Sequence, residues 1–166
     1  MIPSAVEKAL NDQVNNELYS AYMYLALATY FDQQALTGFA FAMQTQCREE
    51  LEHAGRLLRF MSDQDAKIDL REIVRPEREF DSPLAALQVA LDAEQDNTEQ
   101  INDLYELALK HSDHSTEVMM QWFIQEQVEE ERSARTLLDR VKLAGQDKGA
   151  LLVLDTQLSS HGTDDV

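Results

Sequence analysis

Helix breakers are scarce in this chain: 166 residues include only 3 Pro and 5 Gly. No alternating strand pattern of useful length interrupts it either. A single cysteine, Cys47, excludes an intrachain disulfide framework and fits a reducing compartment, the cytoplasm. The opening MIPSAVEKAL has no basic block and no apolar block, so no secretory signal is expected there. Charge breaks up every apolar run well before the length of a bilayer crossing, which argues against a membrane span. Basic residues are outnumbered, 14 Lys and Arg against 31 Asp and Glu, for a formal charge of −17. Nucleic acid and anionic membrane surfaces are poor partners for such a chain, and cations are good ones.

What is present is a chain that is 44% hydrophobic, long enough for one domain with a substantial core. Ser4-Ala5-Val6-Glu7 after Pro3 has the form of a capping box, and nothing breaks a helix from there to about Gln34. Thr37-Gly38 restarts the chain, and a second segment runs to about Asp65. Residues 66–82 hold no clean period, include Pro76 and read as a long crossing loop. Ser82-Pro83 is a helix start, N-cap then first helical position, and the third helix runs to about Lys110. After a turn at His111-Ser112-Asp113 the fourth helix reaches about Ala144, closed by Gly145. A short fifth segment, about 147–159, carries Ala150, Leu151, Leu152, Leu154 and Leu158, and the tail 160–166 is expected to fray.

Connection lengths set the topology. Short turns make antiparallel neighbours of helices one and two, and of three and four. The crossover of roughly 17 residues is long enough to travel the length of a bundle. The expected fold is all-α: one domain over 1–166, a four-helix bundle with a long crossover between helices two and three, and a short fifth helix.

Each long helix has one apolar stripe at 3/4 spacing. Helix one gives Val6, Leu10, Val14, Glu17, Ala21, Tyr24, Ala28 and Phe31; helix two gives Phe39, Met43, Gln46, Glu50, His53, Leu57 and Phe60. Helix three gives Leu87, Leu91, Glu94, Thr98, Ile101, Tyr105 and Ala108; helix four gives Met119, Phe123, Glu126 or Gln127, Glu130, Ala134, Leu137 and Val141. A carboxylate interrupts every stripe near mid-helix, so antiparallel packing can bring all four to one level. Four buried carboxylates at one level repel unless they are protonated or neutralised. Arg48 and Arg56 fall off the stripe, which leaves a hard cation cluster as the neutralising agent. Oxygen-rich ligation with one imidazole suits iron, and manganese less distinctively; Glu50 and His53, three apart on one face, can reach the same ion.

The set Glu17, Glu50-Leu-Glu-His53, Glu94 and Gln127-Val-Glu-Glu130 resembles the ferritins, and in particular the bacterial non-haem ferritins, over nearly the whole chain. The resemblance implies a subunit of a hollow 24-copy cage that takes Fe(II) and O2 as substrates. It implies oxidation at a di-iron ferroxidase centre and storage of a ferric oxyhydroxide mineral. It places Glu17, Glu50 and His53 at the first iron, with Glu50 bridging, and Glu94, Glu50 and Glu130 at the second. Gln127 stands beside them as a weak ligand or a neighbour of the ligands. Glu49, Glu126 and Glu129, with Glu130 shared, match a third iron site. Tyr24 matches the tyrosine beside the centre, able to donate an electron or hold a ligand, and Trp122 is a candidate for the same redox role beside its packing role.

Two departures sharpen the expectation. Ferritin-like di-iron bundles commonly carry Glu-x-x-His on two helices; here helix four has Gln127-x-x-Glu130, so one imidazole is missing. Haem-binding relatives carry a methionine on helix two where this chain has Glu52, so no haem is expected. Asp113 and Glu117 are candidates for acidic three-fold channels, and the fifth helix for packing about a four-fold axis. The alternative function is a di-iron oxidase or oxygenase acting on another substrate. It would need an organic cavity beside the metals, space that Tyr24, Trp122 and Phe123 are expected to fill.

Overall fold

The computed structural model describes residues 2–160. Five helices follow in order: α1 (Ser4–Gln33), α2 (Thr37–Asp63), α3 (Pro83–Lys110), α4 (His114–Ala144) and α5 (Lys148–Ser160). No strand occurs among the described residues. The architecture is the all-α one-crossover bundle, with α1 packed on α2, α3 on α4, and residues 64–82 as the crossover. No helix among the described residues is long and apolar enough to cross a membrane.

Helix starts follow local chemistry in two cases and not in a third. At α3, Ser82 Oγ accepts from the Ala85 N–H at 3.1 Å, with Pro83 at the first helical position. At α4, the Asp113 side chain accepts from the Thr116 N–H at 3.3 Å and the Thr116 hydroxyl at 2.7 Å. The capping box expected at Ser4 does not form. Pro3 occupies the cap position and Ser4 is already helical. Glu7 turns to the crossover instead, where its Oε2 accepts from the Lys67 N–H at 3.0 Å. The extended crossover has no strand beside it, so its backbone groups compete for α1 side chains. Asn11 Oδ1 accepts from the Asp69 N–H at 2.6 Å, and Asn11 Nδ2 donates to the Lys67 carbonyl at 2.8 Å. Asn15, one turn on, repeats the pattern with the Arg71 N–H at 2.9 Å and the Asp69 carbonyl at 3.0 Å.

Three helix ends use left-handed residues that are not glycine: Ala35 (φ 59°), Asp65 (φ 54°) and Ser112 (φ 55°). Each lets the next N–H return to the helix: Leu36 to the Phe31 carbonyl at 3.0 Å, Ala66 to Met61 at 2.9 Å, Asp113 to Ala108 at 3.0 Å. This is the usual way of satisfying the last carbonyls. Among the described residues, α4 alone closes on a glycine, Gly145 at φ 58°.

The core is split in two. One apolar cluster holds Leu27, Phe31, Phe39, Leu87 and Leu138. The other holds Val6, Leu10, Leu57, Ile101, Met120 and Phe123. Every α1 stripe position is buried. On α2, Met61 is buried and Phe60 only partly. On α4, Met120, Gln127 and Leu138 are buried, while Met119, Glu126 and Leu137 are half-buried.

Helix α5 docks on the first turn of α2. Leu36, at the cap position of α2, supplies no side-chain cap. Asp155 of α5 does so instead, its Oδ1 accepting from the Phe39 N–H at 3.0 Å. The approach is so close that a Cβ on Gly38 would lie 1.8 Å from the Asp155 carbonyl oxygen, so glycine is required there. Leu151, Leu154 and Leu158 pack partly buried on the first cluster. Leu152 and Val153 face outward, 55% and 58% exposed. The tail 161–166 lies outside the described residues.

Candidate metal centre

Between the two apolar clusters lies a polar layer. Glu17 comes from α1, Glu50 and His53 from α2, Glu94 from α3, and Gln127 and Glu130 from α4, all buried. Each sits mid-helix, between apolar neighbours that bind the helix to the core. The structure gathers ligand atoms of Glu17, Glu50 and His53 within 4.8 Å of one another, and likewise those of His53, Glu126 and Glu130. Glu129 is exposed and in neither group. Glu49 is half-buried, and burial raises its carboxyl, with His53 opposing and the Glu126 charge adding to the rise.

Neighbouring amides and a phenol hold the carboxylates in place. Gln13 Nε2 donates to Glu17 Oε1 at 2.6 Å and to Asn97 Oδ1 at 2.7 Å. Gln46 Nε2 donates to Glu130 Oε2 at 2.7 Å. The Tyr24 hydroxyl donates to Glu94 Oε1. Gln127 Nε2 donates to the Glu94 carbonyl at 3.1 Å and to Glu94 Oε2 at 3.2 Å. Sequence reading named Tyr24 and Gln127 but assigned nothing to Gln13, Gln46 and Asn97. The available signal was spacing: Gln13 and Gln46 each precede a buried carboxylate by four residues, and Asn97 follows one by three.

Four atoms of this layer are buried without a hydrogen-bond partner: Glu17 Oε2, Glu50 Oε1, Glu50 Oε2 and His53 Nδ1. His53 Nδ1 stands 3.7 Å from Glu17 Oε2 and 3.6 Å from Glu50 Oε2, too far for a hydrogen bond. Buried polar atoms are rarely left unpaired, and four that converge have the donor chemistry of a cation site. The residues present therefore fit a hard or borderline metal ion.

The electrostatics agree. Burial drives the Glu50 carboxyl well up, and the Glu17 and Glu94 charges add to it. Burial, then Glu94 and Glu49, push Glu130 up to about 8. Burial opposes charge on His53, but the nearby carboxylates of Glu17 and Glu50 outweigh it and raise the imidazole to about 10. Burial, with the Glu94 and Glu50 charges, raises Tyr24, so its hydroxyl stays a donor. Protons thus do at this level what a cation can do better, and a metal ion binds by releasing them.

Trp122 and Phe123 wall the imidazole, edge-on to it at 5.5 and 5.8 Å between centroids. Arg56 lies 4.0 Å over the Trp122 ring rather than in the acid layer. Tyr24 does not fill the space beside the centre: it borders a cavity of about 350 Å³ that also touches Gln46 and Glu130. Asp113 is spent on capping α4, and Glu117 contacts His114 at 3.1 Å.

A one-crossover bundle with a carboxylate and imidazole layer at mid-core is the ferritin-like arrangement, with groups that could hold a metal ion. A ferritin-like domain matches residues 7–144, and the chain belongs to the ferritin family. It is 33% identical to a bacterial non-heme ferritin of Campylobacter jejuni over 160 residues, 96% of each chain. It is 32% identical to a bacterial non-heme ferritin of Staphylococcus aureus over 165 residues, 99% of each. The fold superposes with a TM-score of 0.94 on an open pore ferritin from the hyperthermophilic archaeon Archaeoglobus fulgidus, at 42% identity, covering 96% of this chain and 98% of that one.

Proposed function

We propose that this protein stores iron, oxidising Fe(II) with O2 at the mid-bundle centre and holding the product as ferric oxyhydroxide inside a homo-oligomeric cage of 24 copies. The observation that carries this reading is the convergence of four unpartnered ligand atoms from Glu17, Glu50 and His53. Fe(II) is the substrate. Glu17, Glu50 and His53 bind one ion, Glu94, Glu50 and Glu130 the other, and Glu50 bridges. Each Fe(II) loses one electron to O2, and hydrolysis of Fe(III) in the cavity releases protons. The protein positions the ions and neutralises charge; the redox chemistry is the metal's. With no second imidazole, the second position is oxygen-rich, which favours passing Fe(III) on over retaining it. Glu49, Glu126 and Glu129, sharing Glu130, are the proposed third iron site on the way out; the half-buried and exposed positions of these residues suit an ion in transit. Tyr24 holds Glu94 and stands in reach as an electron donor. A cytoplasmic location suits the single Cys47, and the outward Leu152 and Val153 of α5 suit contact between copies.

Replacing Glu50→Ala removes the bridge. The initial rate of Fe(II) oxidation by stopped-flow should fall by more than about 100-fold, since partners of ligands alone are worth ~10–100-fold. An undiminished rate would sink the assignment. Aerobic addition of excess Fe(II) should leave soluble mineral that co-elutes with a cage on size exclusion; bulk precipitation, or a monomer, contradicts storage.

A further inference from the structure

Arg56 follows His53 by three residues on α2, and Glu52 precedes Arg56 by four. A glutamate four residues before a basic residue is the favoured order for an ion pair on a helix. That pair does not form. Among the described residues Arg56 makes no ion pair with a carboxylate, and its Nε is buried with no hydrogen-bond partner. The guanidinium lies instead 4.0 Å over the centre of the Trp122 ring. Trp122 in turn stands edge-on to His53, 5.5 Å between centroids, and to Phe123 at 4.9 Å. In a chain with 31 acidic residues, this arginine is committed to an indole beside the centre.

The stack acts on the charge of the ring. A neutral indole presents a negative face, which attracts a guanidinium above it. An indole that has lost an electron is positive, and the same guanidinium repels it. Arg56 therefore stabilises reduced Trp122 and destabilises its radical cation. The Trp122 N–H has no acceptor among the described residues, so the proton of an oxidised ring must go to water. Tyr24 is the opposite case. Its hydroxyl donates to Glu94 Oε1, so a phenol that loses an electron has a carboxylate in place for its proton.

We propose that Arg56 is a positioning residue acting through Trp122: the stacked guanidinium fixes the indole against His53 and makes it hard to oxidise, which leaves Tyr24 as the aromatic side chain that yields an electron beside the centre. A one-electron oxidant derived from O2 takes that electron, and the Tyr24 proton passes to Glu94. The choice of Tyr24 rests on the ferroxidase reading above; the protection of Trp122 by Arg56 does not.

Trp122 is the only tryptophan in the chain, so tryptophan fluorescence reports on it alone. Chlorine dioxide, a neutral one-electron oxidant reduced to chlorite, is mixed with the intact metal-free assembly, and stopped-flow follows the loss of that fluorescence. Arg56→Met keeps a long side chain that can lie on an aromatic ring but removes the charge. It should speed Trp122 oxidation about threefold or more, and Arg56→Lys should restore a rate near wild type. Acrylamide quenching should be equal in the three proteins, because the ring stays covered. An unchanged rate in Arg56→Met, an equal rise in Arg56→Lys, or a rise matched by greater acrylamide quenching overturns the protection. On aerobic addition of Fe(II), mass spectrometry should find oxidised Trp122 in Arg56→Met and little in wild type. Freeze-quenched wild type should show a tyrosyl radical by electron paramagnetic resonance that Tyr24→Phe removes; Fe(II) oxidation without that radical overturns the role of Tyr24. Fe(II) left unoxidised by wild type overturns the ferroxidase reading, while the chlorine dioxide rates still decide for Arg56.

Discussion

Gln13 occupies one oxygen of Glu17 and so commits the other to the centre. The same amide reaches Asn97 Oδ1, which ties α1 to α3 at the carboxylate layer. Replacing Gln13→Leu keeps the volume but frees Glu17 Oε1 and leaves Asn97 Oδ1 without its donor. Zn(II) affinity by calorimetry should drop about tenfold or more, as for other residues that orient ligands; a wild-type isotherm would show that Glu17 needs no such guide. The buried carboxylates themselves were legible because a carboxylate in an apolar stripe is anomalous. Gln13 was not. It sits at stripe spacing, four before Glu17, but an uncharged amide there reads as a flank until α3 covers it. The half-buried Glu126 and the buried Gln127 were likewise inseparable by spacing, since both fall within a stripe's width; the rotation of α4 decided between them.

The helices as elements were plain from periodicity and from Ser82-Pro83, Asp113 and Gly145. Their ends were less so, because three of them use Ala35, Asp65 and Ser112 in the left-handed region, where sequence rules look for glycine. Ala35 is exposed and has no polar side chain to lose. Ala35→Gly should therefore stabilise by about 0.5–1 kcal/mol, the left-handed penalty less the greater chain entropy of glycine, read as a raised melting temperature. Gly38 is the opposite case. A methyl there meets backbone, the Asp155 carbonyl at 1.8 Å, and backbone cannot step aside. Gly38→Ala should undock α5 and strip the α2 N-terminus of its cap, a loss of about 0.5–2 kcal/mol for the cap alone. Hydrogen exchange over residues 148–160 should then rise sharply while α1 to α4 stay protected; unchanged exchange would show that α5 is held otherwise.

At the scale of the whole molecule, the carboxylate layer sets a pH dependence. Glu130 titrates at about 8 when folded against an ordinary 4.5, and His53 at about 10 against 6.5. Both groups hold protons more tightly in the native state, so stability of the metal-free protein falls as pH rises. The Glu130 part is lost between 4.5 and about 8. The His53 part is whole below 6.5 and lost by about 10. Melting temperature scanned from about pH 5 to about pH 9 should decline steadily, and Zn(II) should flatten or reverse the slope because it replaces the protons. A metal-free protein that grows more stable with pH would contradict the layer's electrostatics.

Periodicity, breakers and connection lengths determined the five helices, their antiparallel pairing and the level at which the carboxylates meet, because these depend on spacing along one chain. Tertiary structure alone decided which amides hold the ligands, that Glu7 serves the crossover rather than its own helix, and that Asp155 caps α2. It also opened a cavity where Tyr24 was expected to fill the space. Each of these turns on which neighbour competes for a polar group or leaves a volume unfilled, and that is a property of helices already packed.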